Sequence, residues 1–255
     1  MLLVLDVGNT QTSFGVFNAG KLVQHWRAET QISKTVDEYA SFLFPLMGHG
    51  GLDPLRCEGI AICSVVPPVE ETFTSFCRQY LKREPFRLSA NSKLGFTLQV
   101  DIPGEVGADR LANTAYAVQK LKLPAIVVDL GTATTFDVIT QDKVYQGGII
   151  LPGVRMGAES LSSKTSLLPL IDIKFPSSVI GKNTITCIQS GVLFGYCDAI
   201  DGLLDRLQKQ VNRDCDIALT GGLSSLFHSK LKAKTKLLPD LTLEGTAMLY
   251  QLNRP

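Results

Sequence analysis

With 255 residues, 45% of them hydrophobic and 19% charged, the chain can bury a core for one large domain or two smaller ones and has an ordinary globular balance. A net charge of +1 gives no electrostatic ground for nucleic acid or an anionic membrane as partner, and no apolar run approaches the roughly 18 residues of a membrane span. The opening Met1-Leu-Leu-Val-Leu lacks the basic flank and length of a secretory signal, so a cytoplasmic protein is expected.

The first apolar run predicts a strand over 2–7 that ends in Asp6-Val-Gly-Asn-Thr10. A carboxylate at a strand end can hold a cation. A glycine beside it lets a ligand approach the backbone, and hydroxyls with successive N–H groups can bind phosphate oxygens. A hairpin follows, turning at Asn18-Ala-Gly20. Tyr39, Phe42, Leu43 and Leu46 recur at helical spacing and predict a helix over 36–47, ended by Gly48-His-Gly-Gly51. Residues 58–63 read as a buried strand, 69–82 as a helix opened by Pro67 and Pro68, and Phe86–Leu88 as a short strand. The stretch 89–106 has no period and is expected as a loop over a cleft. Gly107-Ala-Asp-Arg110 then opens a helix to about 121, which places Asp109 and Arg110 at its start; Pro124 stops it.

Ala125-Ile-Val-Val repeats the opening of the chain, running into Asp129-Leu-Gly-Thr-Ala-Thr-Thr-Phe136 and a second hairpin to 150. Asp6 and Asp129 lie 123 positions apart, close to half the chain. The repeat predicts two similar half-molecules, 1–115 and 116–255, facing each other and each offering one loop to a shared ligand. Gly147-Gly-Ile-Ile-Leu-Pro-Gly153 leads into a helix over 154–162, and 163–182 is a connection. A long helix from Thr184 to about 211 carries Gly191 and Gly195, which would allow close helix packing. A strand at 216–219 enters Thr220-Gly-Gly222, where a planar ring could lie on bare backbone, and the last helix covers 244–250.

Several chemistries are excluded by pattern. There is no Walker A loop, no G-x-G-x-x-G, no G-x-S-x-G elbow and no H-E-x-x-H helix. The cysteines at 57, 63, 77, 187, 197 and 215 form no Cys-x-x-Cys pair and are expected as reduced core residues. His25, His49 and His228 are isolated, and Lys230, Lys232, Lys234 and Lys236 read as a solvated face rather than a binding patch. A bound nucleotide must therefore be held by the paired Asp-x-Gly loops.

That arrangement resembles the acetate kinase–Hsp70–actin superfamily, and within it the type III pantothenate kinases. Seven motifs carry the resemblance in order: Asp6-x-Gly-Asn-Thr10, Glu105-Val-Gly-Ala-Asp-Arg110, Asp129-Leu-Gly-Thr-Ala-Thr-Thr135, Gly147-Gly-x-Ile-x-Pro-Gly153, Gly181-x-Asn-Thr184, Gln189-Ser-Gly191 and Thr220-Gly-Gly222. It implies an α/β fold of duplicated actin-like, ribonuclease H-like halves, each a mixed sheet with helices, across an ATP cleft. It also implies transfer of the ATP γ-phosphate to pantothenate, the first step of coenzyme A synthesis, by a cytoplasmic homodimer without nucleic-acid or membrane partners.

The residue roles implied are these. Asp6, Val7, Gly8, Asn9, Thr10, Gln11, Thr12 and Ser13 would cradle the phosphates, with Asp6 holding Mg²⁺ directly or through water. Thr132 would bind phosphate from the opposite half, and Gly221 and Gly222 would flank adenosine. Asp109 would be the general base, with Gly107, Ala108 and Arg110 holding pantothenate and Thr184 reaching it from the other subunit or the dimer boundary. Asp129 would hold a monovalent cation, K⁺ or ammonium.

Structural readings stand beside these roles: Asp6 and Asp129 as turn formers, Asp109 as a first-turn helix residue, Arg110 as a surface ion-pair partner, Thr184 as a helix N-cap. The family pattern has an aromatic residue and an Asn-Pro pair just before Glu105, where this chain has Val100, Asp101, Ile102 and Pro103. Two further functions are weighed: a non-catalytic accessory or regulatory binding protein of the same fold, and a kinase for another small hydroxylated acid.

Overall fold

The computed structural model describes residues 1–211 and 214–254. In chain order the elements are β1 (Leu2–Val7), β2 (Gln11–Asn18), β3 (Lys21–Glu29), α1 (Val36–His49), β4 (Gly59–Ser64), α2 (Pro67–Tyr80), β5 (Phe86–Arg87), β6 (Thr97–Leu98) and α3 (Ala108–Lys120). Then follow β7 (Ala125–Leu130), β8 (Ala133–Ile139), β9 (Val144–Pro152), α4 (Val154–Lys164), α5 (Thr184–Val211), β10 (Asp216–Thr220), α6 (Ser224–His228), β11 (Lys236–Leu237) and α7 (Leu241–Asn253). Two compact units emerge: unit 1 is Met1–Gln119 together with the chain from Asp240 onward, and unit 2 is Lys120–Pro239. The predicted halves 1–115 and 116–255 describe the sequence repeat. The compact units follow packing, which places α7 in unit 1.

In unit 1 the strands run β3-β2-β1-β4-β5, with β1, β4 and β5 parallel and the β1–β2–β3 meander antiparallel. Ala19 (φ 48) and Gly20 (φ 78) make the two-residue hairpin turn whose left-handed backbone matches strand twist. Alternation along β1 sends Leu3, Leu5 and Val7 toward α1 and α2, where they meet Tyr39, Leu43 and Phe73. Leu2 and Val4 face the other way, onto Leu243 and Ala247 of α7. Each such fully buried side chain stabilises the unit by about 1.5–3 kcal/mol. Thr35 and Glu38 close a reciprocal capping box at the start of α1.

Unit 2 repeats the path. Its strands run β11-β10-β7-β8-β9, the unit 1 order with β7–β11 in place of β1–β5, and α6 lies between β10 and β11 as α2 lies between β4 and β5. Ile126, Val128 and Leu130 face Leu193, Ile200 and Leu204 of α5. The molecule is thus a mixed α/β fold of duplicated halves. The copies differ by one residue, and the turn absorbs it: Gly8 N–H donates to the Gln11 carbonyl, whereas Gly131 N–H donates to that of Ala133. Beyond the turn the register recovers, pairing Asp6 with Ser13 and Asp129 with Thr135.

Some sequence expectations need correction. Gly191 and Gly195 face open space on the exposed side of α5, because Leu193, Cys197 and Ile200 form its packed stripe. Cys57, Cys63, Cys77 and Cys197 are buried, but Cys187 is exposed and Cys215 only half-buried. Strand β11 was unreadable inside the lysine run. Two of those lysines are ion-paired on the surface, Lys236 with Asp216 at 2.5 Å and Lys232 with Asp198 at 3.4 Å, and Lys230 lies over the Phe175 ring. Among the described residues no helix is long and apolar enough to cross a membrane.

Candidate active site

Unit 1 gathers two of the predicted groups at the C-terminal end of its parallel strands. Asp6 sits one residue before the end of β1, and Val7 accepts a hydrogen bond from Val65 N–H just beyond β4. Asn9, Thr10 and Gln11 are exposed, while Thr12 is buried and its hydroxyl is 2.8 Å from that of Thr30. Thr12, fully buried and paired in the sheet with Val7 and Ala28, exposes nothing to a ligand; Asn9, Thr10 and Gln11 form the exposed tip of the loop.

Asp109 lies in the first turn of α3, its Oδ1 accepting Arg110 N–H at 2.8 Å. A methyl added at Gly107 would sit 2.5 Å from that oxygen, so the carboxylate folds over bare backbone. Cys63, fully buried on β4 directly beside Asp6, feels the negative charge of both Asp6 and Asp109. A methyl at Gly107 would also lie 3.5 Å from Val65 Cγ1, just beyond β4, so the start of α3 and the Asp6 end of β1 flank the same strand end. Burial raises the Asp109 carboxyl above the ordinary aspartate range, with the Arg110 N–H and guanidinium opposing. Desolvation of that kind is what a proton acceptor needs.

Unit 2 builds its own cluster. Asp129 pairs in register with Thr220, and Gly221 (φ 90) turns the chain so closely that a methyl there would overlap the Asp129 carboxylate and lie 2.6 Å from the Leu130 backbone. Ser224 caps this turn, its hydroxyl donating to the Gly221 carbonyl at 2.7 Å. Thr132, in the turn between β7 and β8, touches Gly153: a methyl at Gly153 would be 2.7 Å from the Thr132 carbonyl carbon. Gly153 thus shapes this loop, a role that spacing alone could not reveal. Asp129, Thr132 and Gly221 lie together around the end of β7, with Gly222 next in the chain.

Thr184 is exposed at the first position of α5. It is not the cap. Asn183 takes that role, its Oδ1 accepting Thr186 N–H at 2.9 Å while Thr186 Oγ1 accepts Asn183 N–H at 3.2 Å. Among the described residues no group of three or more His, Cys, Asp or Glu side chains could hold a metal unaided.

The pattern of the type III pantothenate kinase family matches residues 2–206. The chain belongs to that family. It is 42% identical over 254 residues to a type III pantothenate kinase of Roseiflexus sp. (strain RS-1), covering 100% of both chains, and 41% identical to the one of Bacillus cytotoxicus, covering 99% of this chain and 97% of that one. Solved structures share the fold at low identity. A protein assigned to the Baf family of transcriptional activators from Campylobacter jejuni superposes with a TM-score of 0.62, 18% identity and 98% coverage of both chains. An inorganic polyphosphate/ATP-glucomannokinase from Arthrobacter sp. strain KM does so with 0.52, 13% identity and 99% coverage of both.

Proposed function

We infer that this protein phosphorylates pantothenate at the expense of ATP, the first step of coenzyme A synthesis. The observation that carries the reading is that Asp6 pairs with Cys63 of β4 while Gly107, folded under the Asp109 carboxylate, lies against Val65 just beyond β4, in a chain that belongs to the family over most of its length. In this reading the tip of the Asp6–Ser13 loop cradles the phosphates, Thr132 is a further phosphate ligand, and the bare turn Gly221-Gly222 lies against adenosine. Arg110 and the Gly107-Ala108 backbone hold pantothenate through its carboxylate. Asp109 takes the hydroxyl proton as the pantothenate oxygen bonds to the γ-phosphorus; the bond to the β–γ bridging oxygen breaks, and ADP carries away that electron pair.

Mg²⁺ suits a site with one carboxylate, because it keeps several waters and takes its remaining ligands from the phosphates. Asp6 would hold it directly or through water. Bound there, it neutralises charge on the phosphates. Asp129 would hold the monovalent cation, K⁺ or ammonium, beside the Gly221 turn. Coupled ATP turnover is expected to require pantothenate and to be faster in K⁺ than in Na⁺. Turnover with another hydroxy acid but not pantothenate would redirect the substrate assignment. No turnover in any cation, from folded protein, would leave the accessory binding role.

We place the protein in the cytoplasm and read it as a homodimer. Met156, Leu167, Leu170, Val179, Ile180 and Ile185 are large, exposed apolar side chains, all on one stretch of unit 2 that also holds Thr184. A second copy covering them would bring Thr184 to a subunit boundary. Sedimentation at micromolar concentration is expected to give twice the chain mass of 27.7 kDa, and Ile180→Glu to give the single-chain mass. A 27.7 kDa species for the unaltered protein would remove this reading.

A further inference from the structure

The loop 89–106 is not held by regular structure alone. Apart from β6 and a 3-10 turn at Pro103–Glu105, it is irregular chain leading into Gly107. Its apolar residues Ala90, Leu94, Phe96 and Leu98 pack against a buried cluster that includes Ala108, Leu111 and Ala112, in the opening turns of the helix that carries Asp109 and Arg110, together with Cys63, Leu88 and Leu249. Loops of this kind open locally at little cost unless something ties the backbone down.

Here the tie comes from the far end of the sequence. Asn253, the last residue of α7, donates from Nδ2 to the Lys93 carbonyl at 2.8 Å and accepts Lys93 N–H on Oδ1 at 2.8 Å. The side-chain amide thus grips the backbone of one residue on both sides with two bonds, as a neighbouring strand would. Nδ2 also donates to the Leu249 carbonyl at 2.9 Å, which fixes the amide on its own helix. Two residues past Lys93 the chain reverses at Gly95 (φ 75), where an added methyl would lie 3.3 Å from Leu252 Cδ2. The same helix meets α3 at Gly245 and through Thr242 Oγ1, 2.8 Å from Asn113 Oδ1. One helix therefore sets the height of both the base helix and the loop lying on it.

We propose that Asn253 is a positioning residue for the acceptor substrate: by clamping the backbone of Lys93 it holds residues 89–96 over the start of α3, where Gly107–Arg110 bind pantothenate. This rests on the acceptor assignment made above. Asn253 touches no substrate; it acts through the loop. Loss of the clamp raises KM for pantothenate and spares ATP, whose proposed ligands lie in the β1–β2 turn and in unit 2.

The test is Asn253→Ala beside Asn253→Asp, which keeps the acceptor for Lys93 N–H and loses the donors. Tryptic cleavage after the exposed Lys93 is expected to accelerate about tenfold in Asn253→Ala, with cleavage elsewhere in unit 1 unchanged. KM for pantothenate is expected to rise about tenfold, with KM for ATP and kcat within about twofold, and Asn253→Asp, whose carboxylate would face the Lys93 and Leu249 carbonyls, to be affected at least as much. Unchanged cleavage would show that the clamp does not restrain the loop and would overturn the proposal. Faster cleavage with an unchanged KM for pantothenate would leave a clamp of structural value only and overturn the positioning role. If Asn253→Ala does not fold, Asn253→Asp decides by the same two measurements. A wild type that turns over no pantothenate would sink the acceptor assignment itself, while the cleavage rates would still report on the clamp.

Discussion

Replacing Asp109 by asparagine is expected to lower kcat by about 10²- to 10⁴-fold while ATP binding stays within about twofold. Asparagine keeps the size and the acceptor for Arg110 N–H but cannot take a proton. The pH dependence follows from the direction of the shift. Burial holds the Asp109 carboxyl above the usual aspartate range, and a general base works only when ionised. In the wild type kcat/KM should therefore fall, as pH drops, at a pH above that range; the residual rate of Asp109→Asn should lack this limb. Stability runs the other way. A carboxylate whose pKa is higher folded than unfolded costs stability at neutral pH and returns it as pH falls through the folded value. Asp109→Asn should thus melt no lower than the wild type at pH 7. A variant that keeps wild-type kcat would remove Asp109 from the mechanism; one that loses both kcat and its melting transition would show only that the residue shapes α3.

Gly245→Ala is expected to destabilise unit 1 by about 3 kcal/mol, among the larger effects a single methyl can have. At that position α7 crosses α3 backbone to backbone. A methyl would overlap the Ala112 carbonyl oxygen and lie 2.7 Å from its carbon, and Ala112 is a fully buried residue of a helix with no room to retreat. The clash cannot be relieved by a rotamer change, since its far side is main chain. Relief by sliding α7 away would stretch the Thr242–Asn113 hydrogen bond and pull on α3. Urea unfolding followed by circular dichroism should show a lower midpoint, and the surviving folded protein should have reduced kcat. A wild-type midpoint would mean that the two helices can separate without penalty.

The sequence made the site legible where chemistry repeats. Asp6 and Asp129 announced themselves because the same apolar strand, carboxylate and glycine occur twice, and the strand orders of the two units match element for element. The helix opened by Asp109 was readable from spacing and from Pro124. What stayed hidden depends on contacts between residues far apart in the chain. Nothing near Asn253 hints that it grips Lys93, 160 residues earlier. Gly153 reads as a helix-entry glycine until Thr132 is found beside it. Thr184 looked like a cap because it opens the helix, yet Asn183 with Thr186 closes the box more completely. Strand β11 is two residues long and leaves no periodicity to detect.

The placement of α7 in unit 1 bears on how the protein is made. Unit 2 is one continuous stretch and is whole once residue 239 has been synthesised. Unit 1 is not: residues 1–119 wait for a helix encoded after unit 2. At about 5–20 residues per second, roughly ten seconds separate the two parts on the ribosome. During that interval Leu2, Val4, Phe17 and Ala61, which α7 later covers, present an apolar sheet face to solvent. The unit born first is therefore finished last, and a nascent chain stalled before residue 241 would be a natural client for a chaperone.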